Sequence, residues 1–412
     1  MPKRLLYSSY HNYLDGTSGA AVSTRETLLE LSRQGWEVKT FCGSFFDGKD
    51  PPYHSLSQSL ATHRLQPQFE KYQSRVNGQK VTFQLVRFND SGIESAVFLP
   101  EDAMNSAAGT VQHLSFNSGS LFLKMFGKLC RSFHPDVYAS YGGYWAADIA
   151  AKTARETGAV NVFLLHNLSY RRARLFTFFD SFVTPSHFAK AYYQKELSVE
   201  PEVVPPLIDE FKVIASTNTK RFLTFINPSV EKGFLFFLGI VRELNRTGAD
   251  VPCLIVENRA RTDALQSILK SLKLRNVFVS SHVAEPRLFY SQSRILLVPS
   301  LCEETFGRVA VEASLNGIPV LCSNRGALPE VVDGSCRPGN LVLPIDKKFT
   351  VSRRLVPNSE DVELWKNEIL HLWYDCGYWE SVGSYLKERS RCFRQATVAK
   401  STGSFYARLL ER

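Results

Sequence analysis

The sequence predicts two α/β domains, each built on a parallel, doubly wound sheet. The chain has 412 residues, more than one hydrophobic core usually supports. Apolar strand patterns alternate with helix patterns in both halves, which is typical of βαβ units. Two prolines within Val203–Asp209 and a polar stretch, Ser216–Lys220, interrupt this alternation, so we place the interdomain hinge there.

The first half opens with a βαβ unit. A strand begins at Leu5, a polar loop with glycines follows, and a helix over Thr24–Ser32 precedes the next strand, Glu37–Phe41. Residues 45–120 are rich in turns and dotted with aromatic residues around one credible strand, Val81–Val86. We expect this irregular stretch to set specificity.

Regular alternation resumes at residue 136 and runs through the second half. The predicted strands are Asp136–Ala139, Asn161–Leu165, Asp180–Val183, Phe222–Ile226, Cys253–Val256, Val277–Val279 and Ile295–Val298. The predicted helices cover 145–158, 233–246, 263–272 and 285–292, with another after residue 307. The domains are therefore predicted to span 1–205 and 206–394.

Composition narrows the class of protein. The longest apolar runs are far below the roughly 18 residues that a membrane span needs, and the first residues lack the apolar core of a signal peptide. We therefore expect a cytoplasmic protein. Its eight dispersed cysteines suggest reduced thiols. The net charge of +9 is evenly spread, which suits a polyanionic ligand or peripheral contact with an anionic membrane, but nucleic acid is not expected as a partner.

Two glutamates flank a turn and the start of a helix in the second half. Glu304 and Glu312 are eight positions apart. The run Ile295–Val298 is typical of a buried strand, and Gly307 opens a helix pattern. Glu304 therefore lies on the loop at the carboxyl end of a strand, where open α/β sheets bind ligands. Glu312 lies just inside the following helix, so both side chains can face one crevice.

The glutamates belong to an ordered set of motifs. The set consists of Lys232-Gly233, Pro299-Ser300, Glu304-Thr-Phe-Gly307, Glu312-Ala313, Gly317-Ile-Pro-Val320 and Gly326-Ala-Leu-Pro-Glu330. In order and spacing it resembles glycosyltransferase family 4 over roughly residues 203–345. This resemblance implies a GT-B fold, in which two Rossmann-like domains face a central cleft and a terminal helix, here 395–412, joins the first domain. It also implies a retaining transferase that takes a hexose from a nucleotide-activated donor.

The resemblance also implies the site residues. The implied catalytic residues are His166, Lys232 and Glu304, and the implied donor-binding residues are Gly19, Lys232, Val283, Glu304, Thr305, Phe306, Gly307 and Glu312. By resemblance, Glu304 bonds the donor sugar and Glu312 bonds the ribose. A carboxylate suits both roles because it accepts hydrogen bonds and can engage a vicinal diol. The amides around Gly307, at a helix N-terminus, suit phosphate oxygens.

One departure from the family concerns the phosphates. Lys232 lies after a strand and before a helix, where a cation can meet a departing diphosphate. The family commonly has an arginine where this chain has Asn227, so one of two phosphate-binding cations is missing. Arg308 and Arg259 are the substitutes nearest in sequence.

The first half resembles the family more loosely. Ser18-Gly19-Ala20, on the first βα turn, matches the glycine loop that approaches the diphosphate. A Rossmann dinucleotide loop is the competing interpretation, but the chain has no G-x-G-x-x-G there. His166 ends a predicted strand and matches the family histidine near the reacting sugar; a histidine in that position is also often structural.

Neither half contains an Asp-x-Asp motif or a cluster of residues with metal-ligand spacing. We therefore expect a reaction without a metal and no cofactor beyond a nucleotide-sugar co-substrate, whose base is unknown. The acceptor stays open between a sugar, a lipid-linked sugar and a small molecule. Two alternative functions also stay open: a sugar-nucleotide epimerase or hydrolase of the same fold, and a catalytically silent nucleotide-sugar-binding protein.

Overall fold

The described chain forms two compact units. The computed structural model describes residues 2–47, 55–101, 115–259, 269, 274, 276–281, 283–332, 338–346 and 358–411. The first unit consists of Met1–Pro185, Ala189–Leu207 and Val398–Arg412. The second unit consists of Ser186–Phe188 and Ile208–Thr397.

The secondary structure alternates between strands and helices along most of the chain. The strands are β1 Arg4–His11, β2 Glu37–Phe45, β3 Gln68–Val76, β4 Gln79–Asp90, β5 Ile93–Pro100, β6 Val137–Ser140, β7 Val160–Leu164, β8 Ser181–Thr184, β9 Glu202–Val203, β10 Phe222–Ile226, β11 Cys253–Val256, β12 Val277–Ser280, β13 Ser293–Val298, β14 Val320–Ser323 and β15 Val342–Leu343. The helices are α1 Gly19–Arg33, α2 Leu56–Thr62, α3 Phe116–Phe133, α4 Ala147–Arg155, α5 His187–Leu197, α6 Glu210–Val213, α7 Phe234–Arg246, α8 Arg287–Tyr290, α9 Arg308–Leu315, α10 Leu328–Val332, α11 Ser359–Tyr374, α12 Cys376–Arg389 and α13 Gln395–Arg408.

The sheet of the first unit has the strand order β3-β4-β5-β2-β1-β6-β7-β8-β9. Strand β1 pairs in parallel with β2 on one side and β6 on the other, and β7, β8 and β9 continue the parallel series. The carboxyl ends of β1, β6 and β7 therefore lie side by side. The loop after β1 leads to Gly19, the first residue of α1, and the loops after β6 and β7 carry Trp145 and His166.

Residues 45–120 are more regular than the sequence predicted. In place of one strand, β3, β4 and β5 form an antiparallel meander, and β5 pairs in parallel with β2. The two turns are Asn77-Gly78 and Ser91-Gly92, all four residues with positive φ. Asn-Gly between two strands is a strong hairpin signal that the interpretation of the sequence missed. The alternation in β3 is weak because most of its residues are exposed.

The last helix completes the core of the first unit. Phe405, Tyr406 and Leu409 belong to the same hydrophobic cluster as Leu28 and Leu31 of α1. The rings of Trp36 and Tyr406 meet edge to face, with centroids 6.1 Å apart. The chain thus returns to its first unit after the second unit is built.

The sheet of the second unit is parallel throughout its described strands, in the order β12-β11-β10-β13-β14-β15. Strand β10 lies between β11 and β13, so the loops after these three strands are neighbours. The predicted helix over 263–272 falls largely on residues outside the described part. No helix in the described ranges is long and apolar enough to cross a membrane.

Candidate functional site

Lys232 and Glu304 form an ion pair at the carboxyl edge of the second sheet. Lys232 Nζ lies 2.5 Å from Glu304 Oε1, and the same oxygen accepts a 2.5 Å hydrogen bond from Ser300 Oγ. Lys232 follows β10 and Glu304 follows β13, and these strands pair directly, so the topology brings the two residues together. The side chain of Glu304 is only 14% exposed and that of Lys232 is 33% exposed.

The ion pair keeps both groups charged. Burial acts to lower the pKa of Lys232, but the charge and hydrogen bond of Glu304 outweigh burial and leave that pKa raised. Burial acts to raise the pKa of Glu304, but Lys232 and the Ser300 hydroxyl leave it below the ordinary value. An anion and a cation are therefore fixed side by side at neutral pH.

Gly326 and Ala327 hold the backbone of Glu304. The amide of Ala327 donates a 2.8 Å hydrogen bond to the carbonyl of Glu304. Gly326 has φ +60, and a Cβ at this position would lie 2.1 Å from the same carbonyl oxygen. No side chain fits there, because the clash is with backbone. The motif beginning at Gly326 thus positions Glu304 from a neighbouring loop.

Helix α9 begins directly after the loop of residues 304–307, which is predicted to bind the donor. Gly307 precedes it with φ +88 and has no side chain to cap the first amides. The amides of a first helical turn lack partners within the helix and can bind an anion. Phe306 is buried and meets the ring of Phe393 edge to face at 5.4 Å, which anchors this loop. Thr305 is partly buried.

Glu312 lies one turn inside α9 and is buried. Its Oε2 accepts a 3.0 Å hydrogen bond from the Tyr290 hydroxyl, and its Oε1 accepts one from Arg308 Nε at 3.3 Å. Burial and the charge of Glu312 raise the pKa of Tyr290 well above its ordinary value, so the phenol stays protonated and can donate. A carboxylate has about four acceptor positions, so such a group can accept hydrogen bonds from more than one partner at once.

Arg308 and Arg259, the two candidates to replace the arginine that is missing at position 227, have different surroundings. Arg308 pairs with Glu312. Arg259 is exposed and follows β11, the neighbour of β10, whose end carries Asn227. Burial and Glu304 dominate the pKa of Lys232, and the charge of Arg259 acts on that pKa in the lowering direction. Asn227 itself has φ +63, and its amide donates to the Val256 carbonyl at 2.8 Å.

In the first unit, the structure brings His166 to α1. The Nε2 atom of His166 lies 3.2 Å from Thr24 Oγ1, and the ring meets Tyr141 edge to face at 5.4 Å. Gly19 is the first residue of α1 and is exposed. His166 also lines a cavity of about 30 Å³, enough for a water molecule or two, together with Ser23 and Thr402.

Sequence reasoning missed several residues that position the predicted ones. Ser300 was visible as part of a motif, and its place directly after a strand was a usable signal. Thr24, Tyr141 and Tyr290 carried no signal, because their contacts come from distant parts of the chain. Val283, which the sequence analysis placed among the donor-binding residues, is partly buried against the core of the second unit.

Known proteins resemble this chain in sequence and in fold. Residues 208–342 match the family described as "Glycosyl transferases group 1". The match covers 135 of the 412 residues. The matched stretch contains Lys232, Glu304 and Glu312, the three residues whose contacts define the site in the second unit.

Two curated relatives match parts of the chain. The chain is 29% identical over 180 residues to MMP alpha-(1->4)-mannosyltransferase of Mycolicibacterium hassiacum, covering 40% of this chain and 43% of the relative. It is 36% identical over 72 residues to an uncharacterised 41.2 kDa protein in the cps region of Klebsiella pneumoniae, covering 17% of this chain and 20% of the relative. The chain thus matches less than half of the length of these relatives.

Solved structures match the whole chain. The catalytic domain of starch synthase IV from Arabidopsis thaliana, bound to ADP and acarbose, has a TM-score of 0.70 at 12% identity and covers 100% of both chains. HepE from Anabaena, in complex with UDP-glucose, has a TM-score of 0.64 at 15% identity and covers 98% of this chain and 99% of HepE. The predicted fold class, a GT-B protein with two Rossmann-like domains, is confirmed.

Proposed function

We propose that this protein transfers a sugar from a nucleotide-activated donor to an acceptor, with retention of anomeric configuration and without a metal ion. The observation that carries the proposal is the ion pair of Lys232 with Glu304, braced by Ser300. Glu304 lies four residues before α9, within the residues that match the glycosyltransferase group 1 family. A cation, a carboxylate and the amides of a helix N-terminus are the groups that a sugar diphosphate needs.

Each part of the donor has a matching group. Glu312 accepts hydrogen bonds from the ribose diol, and its contacts with Tyr290 and Arg308 fix the orientation of the carboxylate. The amides at the start of α9 and Lys232 bind the diphosphate. Glu304 accepts hydrogen bonds from hydroxyls of the transferred sugar, where a contact that strengthens as the ring distorts accelerates transfer.

Donor binding changes the partners of Lys232. In the free protein its ammonium neutralises Glu304. An ammonium has three protons to donate, so a diphosphate can join Glu304 around the same cation. The group that leaves gains negative charge in the transition state, and Lys232 stabilises that charge without a metal.

Arg259 supplies the second cation for the diphosphate, in place of the arginine that Asn227 replaces. Its position after β11 is one strand from Asn227, at the same edge of the sheet. Arg308 lies on α9 and pairs with Glu312, so we assign it to the ribose side of the site. The phosphate charge would thus meet one cation from the β10 loop and one from the β11 loop.

Donor preference is narrowed by similarity. The relatives and neighbours include a mannosyltransferase, a protein solved with UDP-glucose and one solved with ADP. We therefore infer a hexose donor, activated by UDP, GDP or ADP.

The test is product analysis with UDP-, GDP- and ADP-activated glucose and mannose, with and without neutral oligosaccharides as acceptors, in excess EDTA. Transfer with the donor's anomeric configuration in the product, seen as the one-bond C1–H1 coupling by NMR, is the expected result. An isomerised sugar nucleotide would indicate the epimerase alternative. Binding without any turnover would indicate the silent one, and a requirement for added Mg²⁺ would overturn the metal-free mechanism.

A further inference from the structure

Two large aromatic side chains of the first unit stack on each other in solvent. The rings of Phe116 and Trp145 are nearly parallel, at 15°, with centroids 5.8 Å apart. Phe116 is 66% exposed and Trp145 is 40% exposed. Aromatic residues of this size are usually covered, and an exposed apolar surface often marks a binding site. We call this stacked pair the aromatic platform.

Gly119 of α3 leaves space for the indole ring of Trp145. A Cβ at Gly119, one turn after Phe116, would lie 2.1 Å from Cζ2 of Trp145. Glycine inside a helix is less stable than alanine, so the close approach of the indole is a gain that offsets this cost. The ring is thereby held against α3 in one orientation, and a rigid aromatic loses little entropy when it binds a ligand.

The aromatic platform lies on the edge of the sheet that carries His166. Trp145 is in the loop after β6, and β6 pairs directly with both β1 and β7. Tyr141, in the same loop, meets the ring of His166. The platform is therefore continuous along this loop with the candidate sugar-proximal residue of the first unit.

The two segments that carry the rings of the platform contain no charged side chain. Residues 115–123 and 141–147 contain no Asp, Glu, Lys or Arg. Beside Phe116, the amide of Asn117 donates a 2.9 Å hydrogen bond to Gln79 Oε1. Amides both donate and accept, as sugar hydroxyls do. A neutral pyranose has an apolar face for the rings and hydroxyls for the amides, whereas an anionic membrane would favour basic residues here.

We propose that the aromatic platform binds a neutral pyranose ring of the acceptor. The sugar packs against the solvent-exposed side of the Phe116–Trp145 stack, with its hydroxyls toward Asn117 and Gln79. This assignment rests on the proposed function, because it makes the acceptor a saccharide. Its ligand is nevertheless held by the first unit, so binding can be measured without a donor.

The test is ¹⁹F NMR of protein labelled with 5-fluorotryptophan and titrated with maltotriose, cellotriose and chitotriose. The chain has five tryptophans, and Trp145→Phe identifies the resonance of Trp145. At least one trisaccharide should shift that resonance saturably and leave the Trp36 resonance in place. Phe116→Ala should weaken this binding about tenfold, and Gly119→Ala, which displaces the indole, should weaken it similarly. Phe211→Ala removes an 85% exposed ring elsewhere and should change nothing.

Three results would overturn the proposal: no selective shift with any trisaccharide, equal binding by wild type and Phe116→Ala, or dependence on both rings for binding phosphatidylglycerol vesicles in the absence of a sugar shift. UDP, GDP and ADP are titrated into the same samples. Lost sugar binding with intact nucleotide binding defeats only the platform. Sugar binding without nucleotide binding defeats the proposed donor site and leaves the platform standing.

Discussion

At the scale of the residue, backbone conformation explains a departure that the sequence shows but does not account for. Asn227 stands where the resembling family commonly has arginine, and its φ of +63 is left-handed. Asparagine tolerates this region far better than residues with longer side chains. The proposed compensating cation, Arg259, lies on another loop, which follows the adjacent strand β11. Sequence alone offered Arg259 and Arg308 equally.

Lys232→Ala should lower turnover by on the order of 10²–10³, because charge that develops on the leaving diphosphate loses its main cation. Arg259→Ala should lower it less, and the double variant should be non-additive, since both cations act on one diphosphate. Steady-state kinetics of all three variants measures the coupling. Lys212→Ala, which alters an exposed lysine of the second unit, is the control. Independent effects of the two substitutions would remove Arg259 from the diphosphate.

Asn227→Arg should reduce stability by roughly 1–2 kcal/mol, because the longer side chain is forced into a left-handed backbone. It should not tighten nucleoside diphosphate binding. Urea unfolding and calorimetric titration check the two effects, with Asn227→Gly as the control that keeps the backbone relaxed. Tighter binding at unchanged stability would show that the backbone is not the constraint.

The ion pair predicts a pH dependence. The folded-state pKa of Glu304 is lowered, so its contribution to stability is complete above the ordinary glutamate pKa of about 4.3 and is lost as the pH falls through the folded value. The pKa of Lys232 is raised, so its ammonium group stays charged to above about pH 10. The stability difference between wild type and Glu304→Gln should be constant from about pH 6 to 9 and shrink below about pH 4. Urea unfolding across this range measures it, and a difference that grows on acidification would contradict the ion pair.

At the scale of the element, loops at strand ends carry the site. Their positions were predictable where strands are buried and parallel, because such strands are continuous apolar runs such as Ile295–Val298. Prediction failed for β3, whose residues are mostly exposed, and for α3, whose amphipathic pattern was not recognised. The contacts of Thr24 with His166 and of Gly326 with Glu304 join distant segments, which no local pattern reveals.

Gly326→Ala should displace the Glu304 loop, because the added methyl clashes with the Glu304 backbone. Turnover should fall sharply, while nucleotide affinity that depends on Glu312 should largely persist. Gly248→Ala is a matched control, since Gly248 also has positive φ but open space around it. Kinetics and nucleotide titration of the two variants separate the steric effect from backbone strain. Equal losses in both variants would show that strain alone is responsible.

At the scale of the whole molecule, the chain forms two units with separate hydrophobic cores. The terminal helix packs in the core of the first unit, although the second unit separates this helix from the rest of the first unit in sequence. Phe405→Ala should therefore destabilise the first unit by roughly 3–5 kcal/mol, the usual cost of truncating a buried aromatic. Nucleoside diphosphate binding by the second unit should survive under native conditions. Calorimetric unfolding with and without nucleotide tests this, and loss of both together would show that the units do not fold separately.

The assignment of the second unit as a nucleotide-sugar site is tested most directly by calorimetric titration of UDP, GDP and ADP into wild type and Glu312→Gln. Glu363→Gln, which alters a glutamate half-exposed on α11, is the control. We predict that at least one nucleotide binds wild type and the control equally. Glu312→Gln should bind it about tenfold or more weakly, because a charged hydrogen bond to the ribose contributes roughly 1.5–3 kcal/mol. Absence of binding by all three nucleotides, or undiminished affinity in folded Glu312→Gln, would contradict the assignment.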